Sequence, residues 1–515
     1  MSRDLARYAR SGAWSLIAYA FQIVGAIVVS IAVVRALDTE QIGVLGLARQ
    51  FTATVVVLSG LALERTFLRF GPELVQRAGG GPAVRLLLKA VVIRLVAWLP
   101  FPLIAWVAQD PLSTWFGDGV GAATWIGVLT GVSYSLYAQL RAAATARFAT
   151  AAVAFSSIVT AVTTLSATLW VLHRGPTVEG VLIAAGLGLL VGCLPLVSPA
   201  FDRSRRGELE AGDDAGDAFD LRMRDRRFVD YAWPFACIAV LNHAVHSQTE
   251  VFFLGYWHGP ELAGFFHHGF TFAQRLVDFL PLALWEVSMA GFSRLVTRNP
   301  EELGRAVRGY LVLLYMVLMP LALLGVAFSP IATLLLSGEK MMPAAMVAQA
   351  YFGMAMIAAA GAPFGMVLYA KERTRAVLWI YVAIALVNVV LDLLLIPSFA
   401  LGGAVIGLAA AKIVSVLLML RLVRRELGHV EWPRRFLVRS LGASSVALIG
   451  WPLSTISPTW FGAVAAFVVC VFSLVVAFRV FRVVGPDEAA LVRGTDLALA
   501  GWALRVVGVR SEVPA

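Results

Sequence analysis

FDRSRRGELEAGDDAGDAFDLRMRDRR, residues 201–227, is the most polar stretch of the chain, carrying eight acids and seven arginines with no apolar period. It has nothing to bury, and it reads as a solvated connector with a flexible middle from Gly207 to Asp217. On either side the composition changes sharply. Of all 515 residues, 59% are hydrophobic and 14% charged, with a mean hydropathy of +0.81. A soluble domain is nearer half apolar and a quarter charged, so these proportions predict an all-α integral membrane protein. They exclude disordered, collagen-like and disulfide-framework classes. Cys193, Cys237 and Cys470 each stand alone in an apolar stretch, as small hydrophobes do, and no metal or cofactor pattern is present.

Working outward from the connector, apolar runs separated by polar punctuation predict about 14 transmembrane helices. They fall at 11–34, 43–63, 83–107, 119–140, 148–172, 178–198, 229–256, 262–289, 306–328, 343–370, 376–396, 401–420, 436–453 and 459–481. The basic start, Arg3, Arg7 and Arg10, leads into the first run, where Ala18 and Ala20 lie inside the apolar stretch; this reads as a retained span, not a cleaved signal. The cations test the count. With the termini and alternate loops assigned to the cytoplasm, those segments hold 35 of the 42 Lys and Arg residues, and the opposite loops hold only Arg35, Arg174 and Lys340. That is the positive-inside pattern. It predicts a multi-pass protein of the cytoplasmic membrane with both termini cytoplasmic. It also accounts for the pI near 9.8 without nucleic acid as a partner.

The two sides of the connector look alike. At an offset of 221, Glu40-Gln41-Ile42-Gly43 matches Glu261-Leu262-Ala263-Gly264, and Leu61-Ala62-Leu63 matches Leu282-Ala283-Leu284. A parallel repeat about an axis along the membrane normal follows. The expected organisation is a six-helix lobe over 1–200, the connector at 201–227, a second six-helix lobe over 228–425, two additional helices over 426–482, and a cytoplasmic tail over 483–515. Within that tail the short apolar stretch Leu497–Leu504 reads as part of an interfacial helix. Two lobes around a midplane cavity are the architecture of an alternating-access transporter.

The first turn reads Arg35-Ala36-Leu37-Asp38-Thr39-Glu40-Gln41-Ile42-Gly43, followed by Gly60-Leu61 and Arg69-Phe70; the second half has Gly259-Pro260-Glu261-Leu262-Ala263-Gly264-Phe265. This resembles the polysaccharide transporters of the multidrug/oligosaccharidyl-lipid/polysaccharide (MOP) exporter superfamily, the Wzx-like lipid-linked oligosaccharide flippases. Their usual pattern has an arginine, a leucine, Gly-Pro-Glu-Glu, an aromatic and a glycine. Here Asp38-Thr39 replaces Gly-Pro and Ile42 the aromatic, while Gly259-Pro260 keeps the dipeptide in the second half. The last two spans look more like the 14-span members, which include the lipid II flippases. The resemblance implies a pair of helical lobes in a MATE-like fold. The implied substrate is an undecaprenyl-pyrophosphate-linked oligosaccharide, moved from the inner to the outer leaflet for cell-surface polysaccharide biosynthesis. Membrane lipid, a polysaccharide polymerase and glycosyltransferases are the other implied partners.

Charges inside spans are costly, and they usually line a cavity. Arg49, Arg94, Arg275 and Lys412 fall inside spans and are candidate substrate-binding cations. Arginine presents a planar fork that suits phosphate oxygens. For Arg275 the alternative is a pair with Asp278 on the same helix face. For Arg94 and Lys412 it is pairing with a carboxylate of the neighbouring lobe, and for Arg49 snorkelling to the interface. His243, His246 and Glu250 at i, i+3, i+7 form one stripe, a candidate coupling or sugar-contact site, as do Asn388 and Asp392, one turn apart, and Asp278 is a further candidate of the same kind. Gly127/Gly131, Gly188/Gly192 and Gly403/Gly407 allow close helix approach. No phosphate-binding Gly-x-x-x-x-Gly-Lys-[Ser/Thr] motif occurs, no acid pair stands at glycosyl-transfer spacing, and all outer loops are short. The chain therefore reads as a transporter and not an enzyme. A lipid II flippase or a MATE-type drug/cation antiporter is the alternative within the same fold.

Overall fold

The computed structural model describes residues 21–64, 66–68, 80–147, 149–202, 226–246, 249–279, 281, 292, 295–296, 300–371, 373–485 and 488–489. Several expected features lie outside these: the basic N-terminal segment, Arg69-Phe70, nearly all of the 201–227 connector, the end of the 262–289 span, and the tail beyond Ala489. Among the described residues the chain is helical and contains no strand. Nine helices there are long and apolar enough to cross a membrane, with shorter apolar helices beside them. This is an all-α, multi-pass membrane protein. Every segment expected to span carries helix where it is described.

The chain forms two compact units, Met1–His267 and His268–Ala515. In the first, α1 (Phe21–Ala36), α2 (Thr39–Gly60), α3 (Gly80–Trp98), α4 (Pro100–Val107), α5 (Gln109–Phe116), α6 (Val120–Ala146), α7 (Thr150–Arg174) and α8 (Val178–Ala200) are followed by α9 (Arg226–His246) and α10 (Glu250–His258). Helix α11 (Pro260–Val277) runs from the first unit into the second. The expected 83–107 span is two helices, because Pro100 lacks the N–H that would continue α3 into α4.

The repeated motif begins α2 and α11 by different chemistry. Before α2, Asp38 and Gln41 form a capping box: Asp38 Oδ1 accepts from the Gln41 N–H at 2.7 Å, and Gln41 Oε1 accepts from the Asp38 N–H at 3.3 Å. Before α11, Gly259 takes a left-handed φ of 83° and Pro260 opens the helix. Asp38-Thr39 is thus a working substitute for Gly-Pro. One turn on, the two glycines matched at the 221-residue offset meet. A Cβ on Gly43 would overlap the Pro260 carbonyl, and one on Gly264 would sit 2.8 Å from Gly43 Cα. The two equivalent glycines are the crossing point of the two helix starts.

Elsewhere in this unit α7 and α8 pack face to face. A Cβ at Gly188 or Gly192 would strike Thr164 or Thr160, as the small-residue spacing implies. At the basic end, Leu86, Leu87, Ala143 and Leu196 build a closed core. Arg147, 3% exposed, ties that end together: its guanidinium donates to the carbonyls of Pro199 (3.1 Å) and Asp202, beyond the last turn of α8. A cation on these carbonyls satisfies acceptors that the helix leaves open.

In the second unit, α12 (Leu303–Ser337), α13 (Met342–Ala358), α14 (Gly361–Ala370) and α15 (Thr374–Leu427) are followed by α16 (Arg434–Ser444), α17 (Gly450–Ile456) and α18 (Trp460–Val480). Two expected spans meet inside α15, where Ala400 (φ 48°) reverses the chain with almost no loop. The last two spans pack on α12, with Leu323, Ala447 and Leu474 buried together and Phe328 edge-on to Phe467.

Candidate functional site

In the first unit the intramembrane cations differ in setting. Arg94 is 3% exposed, and its Nη1 is salt-bridged to Glu64. Its Nη2 lies where a Cβ on Gly60 would come within 3.1 Å, so glycine there makes room for the guanidinium. Directly after Gly60 the helix breaks, with Leu61 and Ala62 both left-handed (φ 48° and 51°), and this delivers Glu64 to Arg94. Of the two sequence readings for Arg94, pairing with a carboxylate is the one the geometry displays, but that carboxylate belongs to its own unit.

Removing Glu64 would strand a buried guanidinium. Breaking a buried pair costs about 3–5 kcal/mol, and the partial exposure of Glu64 reduces this to about 2 kcal/mol for Glu64→Ala. Adding Arg94→Met is expected to restore most of the loss, read as thermal unfolding of the detergent-purified protein. No loss in the single variant would mean that the pair does not hold this end of the unit.

Arg49 is half-buried on α2. One and a half turns further, the Thr54 hydroxyl donates to the Gln50 carbonyl at 2.9 Å and stands 3.0 Å from His243 Nε2. His243 thereby ties α9 to α2. The His246 side chain and residues 247–248 lie outside the described residues, so the continuity of the His243–His246–Glu250 stripe does too. Glu250 itself is 1% exposed at the start of α10.

In the second unit Gln274, one turn before Asp278, lies close to both the Asp278 carboxylate and the Tyr351 hydroxyl, and the Lys412 ammonium acts on Asp278 electrostatically. Tyr351 is edge-on to Phe270, with centroids 4.6 Å apart, which fixes α13 against α11. Asp278 thus has Gln274 and Lys412 acting on it. Sequence reading missed Gln274 and Tyr351; the i, i+4 spacing of Gln274 and Asp278 was the available signal.

Asn388 and Asp392 are 1% and 0% exposed on α15, with Asn388 Nδ2 donating to Asp392 Oδ2 at 3.0 Å. A Cβ on Gly407 would come within 2.7 Å of Asp392 Oδ1, so this glycine admits the carboxylate against the returning helix. A carboxylate buried this completely is retained only at a cost in free energy. Among the described residues no group of three His, Cys, Asp or Glu side chains stands together as a metal site.

No protein-family model and no curated protein matches the sequence. Solved structures do match. The lipid II flippase MurJ in an inward closed conformation aligns with a TM-score of 0.68 at 12% identity, over 91% of this chain and 98% of its own. The chain has the fold of the MOP-superfamily transporters. An inward-facing multidrug-resistance MATE family transporter of that superfamily aligns at 0.55 with 12% identity, covering 81% of this chain and 94% of its own. A MOP superfamily transporter from Pyrococcus furiosus, described by the reversed polarity of its binding pocket, aligns at 0.56 with 11% identity, over 82% and 95%. All three neighbours are transporters. The MOP fold stands as the sequence implied; the Wzx-like subfamily is a finer assignment.

Proposed function

We propose that this chain is a flippase that moves an undecaprenyl-pyrophosphate-linked oligosaccharide from the inner to the outer leaflet of the cytoplasmic membrane, in cell-surface polysaccharide biosynthesis. The observation that carries the reading is Arg49 on α2 and Arg275 on α11, intramembrane arginines on the two helices that the repeat makes equivalent, in a chain of MOP fold. A pyrophosphate cannot cross hydrocarbon unaided, and arginine forks are the side chains best matched to its oxygens. Lys412 is assigned to the same anionic path beside Asp278, and Arg94 to its margin through Glu64. Asn388 and Asp392, with His243, His246 and Glu250, are assigned to sugar hydroxyls or a coupling ion. The two six-helix lobes, the two added spans and cytoplasmic termini are the organisation this reading uses, with the polymerase and glycosyltransferases as partners.

A second reading is favoured by one observation. The match to MurJ has the highest TM-score of the three and takes in 91% of this chain, so a lipid II flippase has equal structural support. A deletion strain separates them. Under the first reading, labelled undecaprenyl-pyrophosphate oligosaccharide builds up facing the cytoplasm while peptidoglycan synthesis continues. Accumulation of lipid II selects the second. Normal turnover of both with new drug sensitivity would overturn the flippase reading in favour of a MATE-type antiporter.

A further inference from the structure

Helix α18 ends in a way its sequence does not favour. The Val483 N–H donates to the Phe478 carbonyl and the Arg482 N–H to the Arg479 carbonyl, both at 3.2 Å, the paired bonds of a Schellman turn. The residue after the cap in that turn takes a left-handed backbone and is usually glycine; here it is Arg482, with φ 44°. Strain of this kind persists where the side chain has a use. Arg482 is exposed, as is Arg479, and Arg439 from α16 lays its Nη1 3.4 Å from the Arg482 carbonyl. Arg439, midway along α16, is thus set against the end of α18 that carries the exposed Arg479 and Arg482. The nearby carboxylates Glu431 and Glu488 are engaged by Arg308, at 3.4 and 4.0 Å.

The residues between these arginines identify the partner. Val438 and Val480 are each 71% exposed and Phe481 is 50% exposed. Water disfavours those three side chains and hydrocarbon disfavours the arginines. The boundary between headgroup and acyl chain suits both. We propose that Arg439, Arg479 and Arg482 form a binding site for the phosphate of an anionic membrane lipid, on the face of the membrane that carries the basic loops, with its acyl chains against Val438, Val480 and Phe481. The ligand class is a phospholipid with net negative charge. A zwitterionic lipid offers the same phosphate beside a cation that the arginines repel.

The test titrates the detergent-purified full chain with phosphatidylglycerol and, separately, with phosphatidylcholine, counting bound lipid by native mass spectrometry. Phosphatidylglycerol is expected to bind the wild-type chain at least about tenfold more tightly than Arg439→Gln/Arg479→Gln/Arg482→Gln, with phosphatidylcholine affected little. A control that removes three cations elsewhere, Arg35→Gln/Arg174→Gln/Lys340→Gln, is expected to bind as wild type. An equal loss in the control makes net charge the cause and overturns the site, as does equal binding of the two lipids. Arg482→Gly guards against misfolding. It removes the left-handed penalty, so its melting temperature is expected to stay level or rise while phosphatidylglycerol affinity falls about threefold. Retained affinity in that variant shows that Arg482 is not part of the site and overturns the proposal. None of these readouts depends on the transported substrate.

Discussion

Alanine in place of Gly43 is expected to be the most damaging single-methyl change in the first unit. The added Cβ would meet the Pro260 carbonyl carbon and oxygen, and backbone at a helix start cannot rotate away as a side-chain tip can. Overpacking of this kind costs about 3 kcal/mol when neighbours cannot yield. Gly264→Ala meets Gly43 Cα from the other side and is expected to behave alike. Gly81→Ala, where a Cβ meets nothing within 4 Å, is the matched control and is expected to be neutral or mildly stabilising. Thermal unfolding of the three purified variants checks this. If Gly43→Ala melts with the wild type, the two glycines do not form the crossing.

Loss of Arg275 is expected to have the largest effect on transport. A guanidinium–phosphate contact is a charge-assisted hydrogen bond of about 1.5–3 kcal/mol, so Arg275→Ala is expected to lower the flipping rate at limiting substrate by roughly 10–100-fold. Arg275→Lys keeps the charge without the fork and is expected to fall between. Arg49→Ala is expected to lower the rate as well, by a smaller factor. Full complementation of a deletion strain by both alanine variants, at normal expression, would remove the phosphate role from these residues.

Much of the fold was legible because lipid restricts the choices. Only helices and closed barrels satisfy their backbone in hydrocarbon, and the long apolar runs were of helix length, so they located the helices. The 221-residue offset singled out Gly43 and Gly264 before anything was known of their contact. Gly188 and Gly192 were likewise legible as packing positions, although their threonine partners were not. What escaped was pairing between residues distant in sequence and backbone that departs from regular helix. Glu64 reaches Arg94 only because Leu61 and Ala62 turn left-handed, and neither residue type announces that conformation. Tyr351 looks like ordinary core in an apolar helix until Gln274 is placed against it. Arg147 counted as a topological charge and proved to be a helix-end ligand. Arg482 occupies a glycine position, which no propensity argument would assign to it. Asp38 and Gln41 were visible only as departures from a motif, until the capping box showed that they do its work.

The central claim is tested most directly by reconstituting the purified full chain in vesicles that contain a fluorescent undecaprenyl-pyrophosphate-linked oligosaccharide, with leaflet position read by a membrane-impermeant quencher. The account predicts that the wild-type chain carries the labelled lipid from one leaflet to the other and that Arg275→Ala, folded and inserted equally well, does so at least about tenfold more slowly. Vesicles in which the labelled lipid stays in its original leaflet, while the same protein exports a cationic drug, would contradict it.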